Sequence, residues 1–275
     1  MIKRCIGQLI KYSLLVLWAC IILLPLLTLL FGSFKTYDAF VNTSGFTPPS
    51  NFFYLENYKR AFVEGKMLVG FFNTFILMVG GVGGSIIVGS MVAYVIGRFD
   101  FKLKKTIVFA YLLVSIVPLE LAQVGTFKLM HGLGLYDTRL APIVLYIGAD
   151  VLMVYIYLNA LNKIPKEIDK AMILEGVSYF GFYRKVVLPL LRPATGTVAM
   201  LKMIAIYNDF YIPYLYMPGQ NKHTVSTTIY RFVGPHQTEW QVISAAIIIS
   251  MIPIIILFLA LQKYIYKGIL SGSIR

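Results

Sequence analysis

IPKEIDKAMILEGVSYFGFYRKVVLPLLRP, residues 164–193, is the stretch on which the reading of this fold turns. It lies between two long apolar runs, yet it carries eight charged side chains, prolines near both ends and Gly176 in its middle. Pro165 suits the first turn of a helix, where a missing N–H is no loss, and Glu167 and Asp169 complement the positive N-terminal end. Gly176 is suited to the left-handed conformation that stops such a helix. Ser178 is then an N-cap for a second helix over 179–187, before Pro189 and Pro193 lead onward. The stretch reads as a two-helix hairpin exposing Ala171, Met172, Leu174, Phe180 and Phe182, a knob shaped for a partner's groove.

The sequence around this hairpin belongs in a bilayer. Of 275 residues, 58% are hydrophobic and only 13% charged, against about a quarter charged in a soluble domain. Mean hydropathy is +0.76. Spanning hydrocarbon takes roughly 20 apolar residues as helix, because lipid offers no partner for open backbone groups. Six stretches qualify, at about 14–31, 70–97, 107–127, 141–161, 194–217 and 242–264. The expected fold is therefore an all-α membrane protein, a single transmembrane domain over 1–275. It has six transmembrane helices, with the 164–193 hairpin between spans four and five. The first stretch has the basic flank of a signal peptide in Lys3, Arg4 and Lys11, but its apolar run exceeds the usual 7–15 residues and no small-x-small site follows.

A formal charge of +13 invites a nucleic-acid partner, and its distribution argues against one. With the N-terminus inside, sixteen Lys and Arg residues fall in inner segments, six of them in 163–192, and eight in outer loops. This asymmetry predicts a multi-pass protein with both termini cytoplasmic. Cys5 and Cys20 are poorly placed for an extracellular disulfide, and two thiols without clustered histidines make no metal site. His131, His223 and His236 fall in outer segments and read as solvated or structural.

Span two is rich in small residues. Gly81, Ser85, Gly89, Ala93 and Gly97 recur every fourth position, one narrow stripe that permits close helix contact. Its Gly80-Gly-Val-Gly-Gly84 run superficially resembles a phosphate-binding loop, but no Gly-Lys-Ser/Thr follows, so any ATP must bind another polypeptide.

Four ionisable residues fall within predicted spans: Glu120, Asp150, Lys202 and Asp209. A charge near mid-bilayer costs at least about 2.5–3.5 kcal/mol, so these should face the bundle interior or a wet cavity. Alternatively, Glu120 and Asp150 lie near the outer membrane surface, where they snorkel or pair with Arg139. Asp209 has Asn208 beside it and Tyr207, Phe210, Tyr211 and Tyr214 around it, a set suited to a hydroxylated, uncharged solute. Lys202 is two turns away from Asp209, about 10 Å along the axis, too far for a direct pair in a straight helix. Candidate pathway residues are thus Asn208, Asp209, Tyr207, Tyr211, Glu120 and Asp150. Glu120 and Asp150 could approach one another as paired carboxylates, but no histidine, motif or metal ligand beside them makes a catalytic constellation.

The hairpin resembles the coupling loop of ABC-importer permeases, whose pattern is Glu-Ala-Ala, three positions, Gly, then some nine residues to an aliphatic-Leu-Pro. Here Lys170-Ala171-Met172, Glu175-Gly176-Val177 and Val187-Leu188-Pro189 supply that spacing, with Lys170 where the family has Glu and Asp169 displaced by about 100° around the helix. Leu55-Glu-Asn-Tyr58, Asn73-Thr74, Arg98-Phe-Asp-Phe101, Leu133-Gly-Leu-Tyr-Asp-Thr138, Asn208-Asp-Phe210 and Tyr266-Lys-Gly268 narrow the resemblance to the carbohydrate-uptake class, similar to the maltose-type second permease. The resemblance implies a non-catalytic subunit of a sugar importer in a bacterial or archaeal cell membrane. Its partners would be a second, different permease, two ATPase subunits holding ATP and Mg, an extracytoplasmic solute-binding protein and membrane lipid. Asp169, Lys170, Ala171, Met172, Glu175, Gly176, Phe180 and Phe182 would form the ATPase-coupling surface, and the 268–275 tail would reach between the ATPases. An importer of another solute, an intramembrane enzyme and a polysaccharide-export component are the alternatives.

Overall fold

The computed structural model describes the backbone of residues 2–148, 150–234 and 238–273, and the side chains within these except 2–6, 119–120, 170–171, 173 and 260–273. The side chains of Glu120, Lys170 and Ala171, the whole of His236, and the side chains of the 268–275 tail lie outside the described set.

Helix α1 (Ile2–Ser33) runs unbroken through Pro25, and the Thr36 hydroxyl caps α2 (Tyr37–Asn42) by accepting from the Ala39 N–H. Helix α3 (Glu56–Val63) precedes α4 (Met67–Arg98). The third predicted span is α5 (Lys104–Ile116) with α6 (Leu119–Gly132), bent by 105°. Pro118 causes the break, because it disfavours helical backbone at Val117, whose ψ is 122°. The fourth is α7 (Leu140–Tyr146) with α8 (Val151–Leu161), bent by 48°. Asp150 restarts the helix as N-cap, its Oδ1 accepting from the Met153 N–H at 2.7 Å.

The hairpin comprises α9 (Glu167–Leu174), α10 (Tyr179–Phe182), a π-helical turn over Tyr183–Val187 and α11 (Leu188–Leu190), which bends by 77° into α12 (Arg192–Asn208). Then come α13 (Tyr211–Tyr216), α14 (Val225–Ile229) and α15 (Trp240–Ser273). Helices α1, α4 and α15 are each long and apolar enough to cross a membrane, and the three bent pairs raise the number of candidate spans to six. The fifth predicted span, 194–217, is interrupted at Asp209, whose extended backbone (ψ 117°) separates α12 from α13.

The chain divides into two compact units, 1–68 with 227–254 and 69–226 with 255–275. In the first, buried Asn57 donates to the carbonyls of Ser33 and Lys35 at 2.9 and 2.7 Å, and Tyr58 shares a 2.7 Å hydrogen bond with the Ser33 hydroxyl. Arg60 bridges Glu64 and Glu239. The Leu55-Glu-Asn-Tyr58 motif therefore closes the end of α1.

In the second unit the small-residue side of α4 meets α7, α8 and α12. A Cβ on Gly81 would stand 2.8 Å from Ile206 Cδ1 and 2.9 Å from Tyr146 Cβ, and one on Gly89 would stand 2.6 Å from Met153 Cε. At Gly97 the neighbour is Leu158 Cδ2, 3.2 Å away. Ser85 and Ala93 are fully buried, and the Ser85 hydroxyl donates to the Tyr146 carbonyl at 2.6 Å. Gly84, off that stripe, is tighter still, since a Cβ there would run into Ile147 Cγ1.

Candidate functional site

The hairpin is built as a tip on a fixed base. Gly176 has φ +67°, the left-handed conformation that ends α9, and nothing lies within 4 Å of where its Cβ would be. Ser178 caps α10 through a 3.1 Å bond from the Gly181 N–H. Leu174 and Phe180 flank the turn at 89% and 61% exposure, and Glu175 is exposed beside them. Met172 and Phe182 are different. The sequence reading put both on the exposed knob, but they are 5% and 2% exposed, packed in the core with Tyr94, Leu161, Tyr183 and Val187. Helix α9 and α10 have amphipathic faces, and α4 and α8 cover the apolar one.

Asp169 also faces inward. Its Oδ2 is 3.3 Å from Nη1 of Arg98, the last residue of α4, and Nη2 of Arg98 donates to the Ile164 carbonyl at 2.9 Å. The Arg98 side chain is 7% exposed and its Nε has no partner among the described residues. Rings extend this mount: Tyr94 to Tyr183 at 5.6 Å, Phe99 to Tyr179 at 5.1 Å, with a 2.7 Å bond between the Tyr183 and Ser90 hydroxyls. Arg98 and Phe99 of the Arg98-Phe-Asp-Phe motif thus tie the hairpin to span two.

A second polar region crosses the spans at their breaks. Tyr146, buried at the end of α7, donates its hydroxyl to Asp209 Oδ2 at 2.7 Å while its carbonyl accepts from Ser85. Asp209 Oδ1 accepts from the Ile212 N–H at 3.2 Å, and its carbonyl from the Ser226 hydroxyl at 2.6 Å. Asp209 Oδ1 therefore caps the start of α13 while Oδ2 ties the α12–α13 break to α7. Tyr207 is buried, whereas Asn208 and Tyr211 are exposed, and Phe210 and Tyr214 stack with centroids 4.9 Å apart.

Asp150 pairs with Lys202, Oδ2 to Nζ at 2.8 Å, rather than with Arg139, and Lys202 also donates to the Tyr146 carbonyl at 3.5 Å. Arg139 instead donates to Asn73 Oδ1 at 2.8 Å. The pair lies in the wall of a cavity of about 940 Å³ bounded by α5, α8 and α12, among Tyr111, Val114, Tyr155, Ile156 and Leu201. This is within the ~300–1,000 Å³ typical of small-molecule sites.

The remaining motifs make a loop cluster. Buried Asn73 donates to the carbonyls of Asn221 and His223 at 3.0 and 2.8 Å, and Thr74 Oγ1 accepts from the Val225 N–H at 3.0 Å. Asp137, at φ +56°, accepts from the Gly219 N–H at 2.9 Å and pairs with Lys222 at 2.7 Å. The Lys222 hydrogen bond, reinforced by the Gly219 N–H, holds the Asp137 carboxyl below its ordinary range. His131 packs against Phe127 and Tyr136.

The sequence reading gave no site role to Arg98, Tyr146 or Asn73. Arg98, just past predicted span two, and Asp169, in the first turn of the hairpin, carry the signal for that pair, although the hairpin holds more basic than acidic side chains. Tyr146 and Asn73 act through partners 63 and about 150 positions away, which no local pattern marks.

Residues 85–271 match the family described as binding-protein-dependent transport system inner membrane component. The chain is 30% identical to a probable starch degradation products transport system permease protein, AmyC, of Thermoanaerobacterium thermosulfurigenes, over 91% of each chain. It is 27% identical to the melibiose/raffinose/stachyose import permease protein MelC of Bacillus subtilis, over 94% of this chain and 93% of that one. Against the diacetylchitobiose uptake system permease protein NgcG of Streptomyces coelicolor it is 25% identical, over 97% and 88%. Its fold is similar to a chain of a bacterial ABC transporter involved in import of the acidic polysaccharide alginate, with TM-score 0.80, 20% identity and coverage of 94% and 96%. With six candidate spans, a mounted hairpin and a family match over most of its length, this chain belongs to the inner membrane components of binding-protein-dependent transport systems.

Proposed function

We propose that the chain is a permease subunit of an ATP-driven saccharide importer, with oligosaccharides as its cargo. It forms half of a translocation pathway with a second, different permease. Two ATPase subunits carry ATP and Mg, an extracytoplasmic solute-binding protein delivers the sugar, and this chain itself is non-catalytic. Both termini and the hairpin face the cytoplasm, in keeping with the sixteen basic residues assigned to that side.

The observation that carries the reading is the hairpin's division of labour. Met172, Phe182 and Asp169 fix its base to α4 and α8, while Leu174, Gly176 and Phe180 leave an apolar tip open for a partner. A connector needs no such mount, whereas a lever needs a rigid one. The saccharide class is supported by the relatives, whose names specify starch degradation products, melibiose, raffinose, stachyose and diacetylchitobiose. The breaks at Val117 and Asp150 line the cavity and that at Asp209 is hydrogen-bonded to Tyr146 and Ser226, settings in which open backbone is tolerated at membrane depth.

The test is uptake by the reconstituted complex in proteoliposomes, with labelled maltotriose, raffinose and N,N′-diacetylchitobiose. ATP-dependent accumulation of at least one is expected. Accumulation of none, with an amino acid or inorganic anion taken up instead, contradicts the saccharide reading.

A further inference from the structure

We propose that Asp150 and Lys202 form a diol-binding site in the wall of the α5–α8–α12 cavity, at which this chain touches the saccharide in transit; the inference rests on the importer reading above. Two opposite charges within predicted spans are costly, and such residues pair and face a cavity. These do both, at 2.8 Å and beside about 940 Å³ of space. If the pair were only a brace, burial would serve it best, and a buried ion pair is often replaceable by apolar side chains without loss. Here the Asp150 side chain is 48% exposed on the cavity wall, although Lys202 is only 17% exposed.

The geometry suits neighbouring hydroxyls. Asp150 is oriented by two bonds, Oδ1 from the Met153 N–H and Oδ2 from Lys202, and each oxygen keeps acceptor capacity. Lys202 has three ammonium protons and, among the described residues, Asp150 and the Tyr146 carbonyl as partners, which leaves a donor for a ligand. A carboxylate acceptor and an ammonium donor one hydrogen-bond length apart match two adjacent ring hydroxyls, with charge-assisted bonds to both. Around them the wall is apolar, and the rings of Tyr111 and Tyr155 with Val114, Leu152 and Ile156 suit the C–H faces of a sugar. Asp209 is not among the residues lining this cavity, and its oxygens tie α7 and α13 together.

The test compares transport of a sugar with that of its monodeoxy analogues in the reconstituted full complex. The sugar is whichever of maltotriose, raffinose and N,N′-diacetylchitobiose the wild type accumulates. Discrimination by the binding protein is common to all variants and cancels when they are compared with wild type. Asp150→Asn keeps an N-cap acceptor and removes the charge; Lys202→Met removes the ammonium; the double variant strands neither charge. Wild type is expected to disfavour at least one monodeoxy analogue by about tenfold, the loss of one well-made hydrogen bond to a charged group. In the variants that ratio should fall by about tenfold from its wild-type value, to whatever the binding protein alone imposes. Variants that assemble, transport at any rate and keep the wild-type discrimination overturn the site and leave a structural brace. If none of the three assembles, the pair is a folding element and the proposal also falls. No saccharide uptake by the wild type overturns the importer reading and this inference with it, whereas uptake with unchanged discrimination overturns this inference alone.

Discussion

Replacing Asp169 with alanine strands the Arg98 guanidinium, 7% exposed, with the Ile164 carbonyl as its remaining hydrogen-bond partner among the described residues. Breaking a buried ion pair by removing one member costs about 3–5 kcal/mol. Asp169 is itself 23% exposed, so water offsets part of that loss, and about 2 kcal/mol is the figure for undocking α9 from α4. At 1.4 kcal/mol per decade this is about a thirtyfold rise in the open population of the hairpin. Backbone hydrogen exchange over 164–193, measured on the assembled complex, should quicken by about that factor, and sugar uptake per ATP hydrolysed should fall. Arg98→Met with Asp169→Leu removes both charges and should recover most of the exchange protection. Unchanged exchange in Asp169→Ala, or a double variant as open as the single one, would refute the idea that this pair holds the hairpin to span two.

Other consequences follow from contacts elsewhere. Gly84→Ala drives a Cβ into Ile147 Cγ1 and should cost about 1–3 kcal/mol by overpacking, seen as a lower thermal midpoint in detergent, whereas Gly83→Ala meets nothing within 4 Å and should leave it unchanged. Tyr146→Phe removes the donor to Asp209 Oδ2 and should cost about 1–3 kcal/mol in the same assay. Asp137 has a folded-state pKa below its unfolded value of about 3.9, so its contribution is present above that value and lost as pH falls through the folded-state pKa. Asp137→Asn should therefore lower stability at pH 7 by no more than about 1 kcal/mol, since the pair is about one-third exposed, and the difference from wild type should close below about pH 4.

Much of the architecture could be read from the chain because bilayer constraints are long-range averages. Twenty apolar residues need no tertiary information to declare a span, and the four-residue stripe on span two faces the surfaces at Tyr146, Met153 and Leu158 that a small-residue stripe implies. Gly176 and Ser178 announce a helix stop and a helix start by local chemistry alone, and both do so in the structure. The breaks in spans four and five were less legible. Asp150 and Asp209 look like polar residues within continuous helices until their carboxylates are seen capping Met153 and Ile212. Burial of Met172 and Phe182 depended on which face of a short helix the rest of the bundle covers, and an isolated amphipathic pattern does not name its partner. For the same reason Asp169 read as a surface contact, although the complementary charge was visible at Arg98, and the Asp150–Lys202 pair joins positions 52 apart with no signal in between.

The hairpin tip is the surface through which this permease would engage its ATPase. Leu174→Ala with Phe180→Ala alters two side chains that are 89% and 61% exposed, leaving the Arg98–Asp169 mount and the Met172–Phe182 core in place. With the full set of subunits co-expressed and the complex drawn from the membrane through a tag on this chain, the double variant should still insert and retain the second permease while recovering at least about tenfold less ATPase subunit, as loss of two apolar anchors at a groove predicts. ATPase recovery equal to wild type would contradict the claim that this tip is where the permease meets its motor.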